Sequence, residues 1–187
     1  SFLASGIEGI QVRFSAKSAT EAEALTIIEP YLKRAEHILG EYCFGYDDES
    51  MEQAVQKLLE ASDQQLALYE TFSRGLIAER LNRKSDTRAY FRGSLVESDR
   101  RQPLNRVEME HRLKQISALF QSTLLLSVTG EIEQDILKLT LYRYDADGLH
   151  SELLTIPYFN HDAAVNFSVI NTLNYLRLSR LHKEEER

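Results

Sequence analysis

Apolar and polar positions alternate through IQVRFSA (10–16), the period of a half-buried strand. The period then lengthens. Ala22, Leu25, Ile28, Leu32, Ala35 and Leu39 recur at helical spacing and predict a helix over 19–39, with Gly40 as its stop. Pro30 lies inside it and predicts a kink or two shorter helices. A short strand is expected at EYCF (41–44), followed by a turn at GYDDES (45–50). Ser50 and Gln53 have capping-box spacing, which predicts a helix over 51–61.

From position 51 helix and strand alternate. The pattern predicts strands over 65–69, 88–97, 123–129, 136–145 and 150–159, and helices over 73–83, 104–120 and 161–181. Ala146-Asp147-Gly148 between two of these strands is a hairpin signal. The last helix is apolar on most sides, so it should be buried. The fold class implied is α/β, with four or five strands and helices on both faces of the sheet. The terminal KEEER is expected to fray.

Length and composition narrow the picture. The 187 residues suit one domain plus a small module, with the boundary at 45–50. A single cysteine, Cys43, excludes an internal disulfide and reads as a small hydrophobe. No apolar run approaches the ~18 residues of a membrane span. SFLASGIEG lacks the basic start and long apolar stretch of a secretion signal. A cytoplasmic chain with no membrane partner is expected. The net charge of −7 is uneven: residues 1–60 hold 11 Asp/Glu and 5 Lys/Arg. Such an acidic first third is a poor surface for phosphates, so no nucleic-acid partner is expected. Residues 74–106 carry nine Lys/Arg against four Asp/Glu, either a solvated surface or a face that meets a phosphate.

Candidate chemistry is sparse. His37, His111, His150, His161 and His182 have no partners at metal-ligand spacing, so no metal and no cofactor is expected. Asp47-Asp48-Glu49 lacks the ligand spacing and glycine of a calcium loop. Gly6-Ile7-Glu8-Gly9 has the four-residue glycine signature of RNA-binding KH modules, but Glu8 repels phosphate and the position suits a hairpin turn. The most informative stretch is Glu70-Thr71-Phe72-Ser73-Arg74-Gly75, between a predicted strand and a predicted helix. Hydroxyls there sit beside unpaired helix N–H groups. They either cap the helix or help bind an anion or oxyanion.

The chain also resembles the CinA family (competence/damage-inducible protein). Gly40-Glu41-Tyr42-Cys43-Phe44-Gly45-Tyr46-Asp47-Asp48-Glu49 is similar to the signature that ends that family's KH-type linker module. The resemblance implies a partial KH-type module over 1–48 and an α/β C-terminal-type domain over 49–187, with a mixed sheet. Active members of that domain are nicotinamide-mononucleotide amidases. The resemblance further implies a homo-oligomer and a molybdopterin-binding-like N-terminal domain in a full-length protein, of which this chain would be a fragment.

Site residues follow from the same resemblance. In the family pattern Ala-Glu-Ser-Cys-Thr-Gly-Gly, Thr71 stands at the nucleophilic serine, Ser73 at the threonine, and Arg74 replaces a glycine, while Glu70 and Gly75 match. In Phe-x-Gly-Gly-x-x-x-Tyr-Ser-Asn, Phe91 and Gly93 match and Ser98 replaces the tyrosine. The lysine that should follow is missing, with Pro103 at its place. Thr129-Gly130-Glu131-Ile132-Glu133-Gln134 stands for a glycine-rich substrate loop whose later glycines are gone. His161–Asn166 lacks an arginine found at that helix start.

The expectation is a degenerate, inactive amidase-type domain serving assembly, dimerisation or regulation. One alternative is a pseudoenzyme that binds a nucleotide or other phosphate. Its candidate ligand residues are Glu70, Arg74, Gly75, Arg92, Gly93, Arg100, Thr129 and Gly130, with Arg88 as a further cation. Another is residual hydrolysis by Thr71 with Arg100 or Arg101 as electrostatic help, although arginine is no base near neutral pH.

Overall fold

The computed structural model describes residues 1–4, 9–83, 89–98 and 104–185. The chain divides into two units, Ser1–Ser50 and Met51–Arg187.

In the first unit β1 (Phe2–Ala4) pairs antiparallel with β2 (Ile10–Val12), Phe2 opposite Val12. The expected strand over 10–16 is cut short. Ser1 exchanges backbone bonds of 2.8 Å with Arg13, and residues 14–16 pair with no strand among the described residues. Phe14, Ser15 and Ala16 still alternate half-buried and exposed. Of the glycine turn only Gly9 is described, at φ +109°, while Gly6, Ile7 and Glu8 lie outside the described residues.

α1 (Glu21–Leu39) starts at Thr20, whose hydroxyl accepts from the Glu23 N–H at 3.3 Å. It continues through Pro30 as one element rather than two. Proline removes one donor to the Thr26 carbonyl, but Thr26 is exposed and water can take its place. The expected strand at 41–44 is absent. Gly40–Tyr42 forms a single 3-10 turn closed by Cys43 N–H on the Gly40 carbonyl at 3.1 Å, and among the described residues no strand pairs with it.

The second unit is built on one five-stranded sheet. Its strands are β3 (Leu66–Glu70), β4 (Phe91–Val96), β5 (Leu124–Glu133), β6 (Ile136–Asp145) and β7 (Gly148–Pro157). Their order is β4-β3-β5-β6-β7: β4, β3 and β5 run parallel, while β5, β6 and β7 are antiparallel. The helices are α2 (Met51–Ala61), α3 (Leu76–Asn82), α4 (Arg106–Phe120) and α5 (His161–Glu185). Asn105 and Glu108 close a capping box at the start of α4.

Both sheet faces are covered, which explains the nearly continuous apolar runs of β3 and β5. On one face Ala67, Tyr69 and Leu125 pack with Met109, Leu113 and Ile116 of α4. The pleat sends Leu66, Leu68, Leu124, Leu126 and Val128 to the other face, where they are also buried. Arg143, on that second face, bonds the Ser179 carbonyl of α5. The expected mixed α/β sheet with helices on both faces is therefore borne out.

Three boundaries move in ways that matter for the site. α3 begins at Leu76, leaving 71–75 as a turn. β5 runs on to Glu133, so the stretch expected to be a loop after Thr129 is strand. α5 continues to Glu185, past the expected end at 181. Among the described residues no helix is long and apolar enough to cross a membrane.

Candidate functional site

Parallel strands place their carboxyl ends together, and four of the sequence segments singled out above meet there. β3 ends at Glu70, level with Val96 of β4 and Val128 of β5. The chain then turns through Thr71–Gly75 into α3. Arg74 (φ +56°) and Gly75 (φ +86°) both take left-handed conformations to make that turn. The conformation suits glycine and is strained for arginine.

Glu70 is the centre of the arrangement. Its side chain is 0% exposed, and four neutral donors converge on it. Oε2 accepts from Ser73 Oγ at 2.9 Å and from the Ile77 N–H at 3.0 Å. Oε1 accepts from Ser94 Oγ at 2.8 Å and from the Ala78 N–H at 3.1 Å. The carboxylate therefore ties β3 to the first turn of α3 and to β4. It also engages the backbone donors that an external anion would otherwise meet. Of the two readings of this turn, the hydroxyl of Ser73 serves neither as a direct helix cap nor as a free donor: it holds Glu70.

Thr71 is equally engaged. It is 4% exposed, and Oγ1 donates to the Val128 carbonyl at 3.3 Å. Among the described residues no ionisable side chain hydrogen-bonds it. A hydroxyl nucleophile needs a base within hydrogen-bond reach, and here its proton points to a backbone oxygen.

Phe72 fills space beside this pair. A Cβ added to Gly130 would lie 2.4 Å from the Phe72 ring, so Gly130 is required for the ring to seat against β5. The ring also meets the imidazole of His161, edge to face, with centroids 5.8 Å apart. His161 Nε2 is buried and has no hydrogen-bond partner among the described residues. Thr129 and Gly130, expected to line a substrate loop, are strand residues opposite Thr140 and Leu139 of β6. Their backbone groups belong to the sheet.

The remaining expected residues divide. Gly93 (φ +148°) follows a register shift that leaves Arg92 as an extra residue, and a Cβ there would lie 2.6 Å from Phe120 of α4. Gly93 thus serves packing against α4. Arg74, Arg92 and Ser98 are exposed, and none converges on Glu70. Arg88, Arg100, Arg101 and Pro103 lie outside the described residues.

Sequence reasoning passed over two features. His161 was read only as a histidine without metal-ligand spacing and as part of a stretch, 161–166, that lacks an arginine. Glu97 was not singled out, yet Oε2 accepts from the Tyr69 hydroxyl at 2.8 Å and Oε1 lies 3.5 Å from Arg112 Nη1. Arg112 also stands 5.9 Å over the Tyr69 ring. The only hint was an acidic residue at the very end of the predicted strand 88–97. A third link, the buried pair Arg80–Glu52, fastens α3 to α2. Among the described residues no group of three or more His, Cys, Asp or Glu could hold a metal ion.

A mixed sheet whose parallel strands end on a turn-then-helix, with hydroxyls at the turn, is an α/β fold that solved structures share. A CinA superfamily protein from Klebsiella pneumoniae shares this fold at TM-score 0.61 and 14% identity, over 71% of this chain and 96% of that one. No family model matches the chain. The CinA-like protein of Acaryochloris marina is 31% identical over 86 residues, 46% of this chain and 20% of its own length. That of Cyanothece sp. is 25% identical over 127 residues, 66% of this chain and 30% of its own length. The chain is thus similar over part of its length to the CinA-like proteins, as the resemblance implied, and spans 20% to 30% of the length of these two relatives.

Proposed function

We propose that the second unit is a CinA-type domain without amidase turnover, retained for assembly or for regulation of an attached domain. The observation that carries this reading is the engagement of the turn. Glu70 takes up Ser73, Ser94 and two α3 N–H groups, while Thr71 donates to Val128. Turnover by the family route would require Thr71 to exchange that backbone acceptor for a base, and the lysine of the family pattern has no counterpart in the sequence. The first unit is read as the KH-type module, whose acidic surface suits a protein contact better than RNA.

A second reading, binding without turnover, is favoured by one observation. His161 Nε2 is a buried nitrogen without a partner at the same strand ends, beside Phe72. One experiment separates the readings. Purified protein is incubated with nicotinamide mononucleotide while ammonia release and melting temperature are followed. Neither signal is expected. Saturable stabilisation without ammonia favours the binding reading, and ammonia release abolished by Thr71→Ala overturns both.

A further inference from the structure

The sheet of the second unit has two edges, and they are finished differently. β4 is six residues long and bulged at Arg92, features that deter another strand from pairing. β7 is ten residues long and pairs with β6 without a break, and among the described residues no strand lies on its other side. Two bonds fix which of its backbone groups face outward. The Tyr158 N–H donates to the Asp135 carbonyl at 2.9 Å, so the β7 positions that exchange bonds with β6 are 156, 154, 152, 150 and 148. The alternate residues, Leu149, Ser151, Leu153, Thr155 and Pro157, turn their backbone groups to the open edge. The Leu149 carbonyl accordingly accepts from Arg106.

Both ends of that edge are closed: Arg106 holds the Leu149 carbonyl, and Pro157 has no N–H. What stays open is Ser151, Leu153 and Thr155, all exposed and placed symmetrically about Leu153, which is 62% exposed. Such a stretch complements a copy of itself. Laid antiparallel, Leu153 meets Leu153 and Ser151 meets Thr155, and each pair exchanges both of its backbone bonds. A slip toward Gly148 that keeps these groups facing sets Glu152 against Glu152. The same slip toward Pro157 sets Ser151 against a residue with no N–H. Charge permits the approach, since residues 51–187 carry 20 Asp/Glu against 18 Lys/Arg. We propose that β7 pairs antiparallel about Leu153 with β7 of a second copy, joining two five-stranded sheets into one. The inference rests on the assembly reading above and names its partner.

The test uses the full chain. Sedimentation equilibrium is followed from micromolar to millimolar concentration, with amide hydrogen exchange measured at both ends of the range. A monomer–dimer equilibrium is expected, in which the Ser151, Leu153 and Thr155 amides gain protection as concentration rises and those of β4 do not. Leu153→Lys places like charges at the centre of the seam and should weaken dimerisation about tenfold or more. A chain that stays monomeric throughout refutes the seam and leaves the edge to a different strand-forming partner. A dimer that is not weakened by Leu153→Lys, or that forms without protecting those amides, refutes the seam but leaves the assembly reading standing. Dimerisation through β7 together with ammonia release from nicotinamide mononucleotide keeps the seam and overturns the absence of turnover. The exchange measurement on the native protein stands even if Leu153→Lys fails to fold.

Discussion

Every residue of β3 in the second unit is buried; among the described residues of Ser1–Ser50, none is. The contrast is sharpest between two helices. α4 places Met109, Leu113 and Ile116 in the core. α1 is four residues longer, carries a regular apolar row, and buries nothing completely. It leaves Leu25, Ile27, Tyr31 and Ile38 exposed. An amphipathic period shows that a helix can form and which side faces inward. It does not show how much there is to pack against. In the first unit the described strands are three residues each, which is too little surface to cover such a row.

The largest predicted effect tests this difference directly. Leu113→Ala should destabilise the second unit by about 2–5 kcal/mol, because a fully buried leucine leaves a cavity. Leu32→Ala on the half-buried row of α1 should cost less than about 1 kcal/mol, since solvent already reaches the site. Urea denaturation with probes in each unit measures both. Comparable losses in the two variants break the comparison.

Legibility followed the same division. α2 and β6 occupy the predicted 51–61 and 136–145, where a capping signal or a strict alternation coincides with burial on one side. In the first unit β1 escaped notice and EYCF was read as a strand, because a three-residue strand or a single turn has no period to read. The turn at 71–75 was found, but the role of Glu70 was not. Its donors come from positions 73, 77, 78 and 94, and only the fold brings them to one carboxylate. His161 was hidden for a related reason: its neighbour Phe72 lies far away in sequence.

Glu70 offers the next prediction, intermediate in size. Glu70→Gln preserves shape but turns an acceptor of four bonds into a group that accepts at one atom and donates at the other. Two of the four donors then face an NH₂. The expected loss is about 1–3 kcal/mol, seen as a lower urea midpoint with an unchanged slope. Protection of the Ile77 and Ala78 amides against hydrogen exchange should fall in the same variant. Unchanged protection would show that α3 is held by Arg80–Glu52 and packing alone, and that the turn of the second unit depends on burial as its core does.

The smallest effect lies in the first unit, where contacts at the surface replace a core. Tyr46 donates its hydroxyl to Glu36 Oε1 at 2.8 Å, fastening the acidic turn to α1. That bond, then burial and the charge of Glu36, raise the phenol pKa from 10.0 to about 12. A raised value means that the folded state holds the proton more tightly than the unfolded state. The contribution is therefore complete below pH 10 and is lost as pH rises from there through about 12. Tyr46 is half-exposed, so solvent screening keeps the energy small, and the titration is a better readout than stability. The phenolate absorbance of the native protein, less that of Tyr46→Phe, should have its midpoint near 12. Glu36→Gln should draw the midpoint back toward 10, since it removes the leading cause. A difference midpoint already near 10 in the native protein would mean that the turn is not fastened to α1, leaving the first unit with still fewer contacts than the comparison assumes.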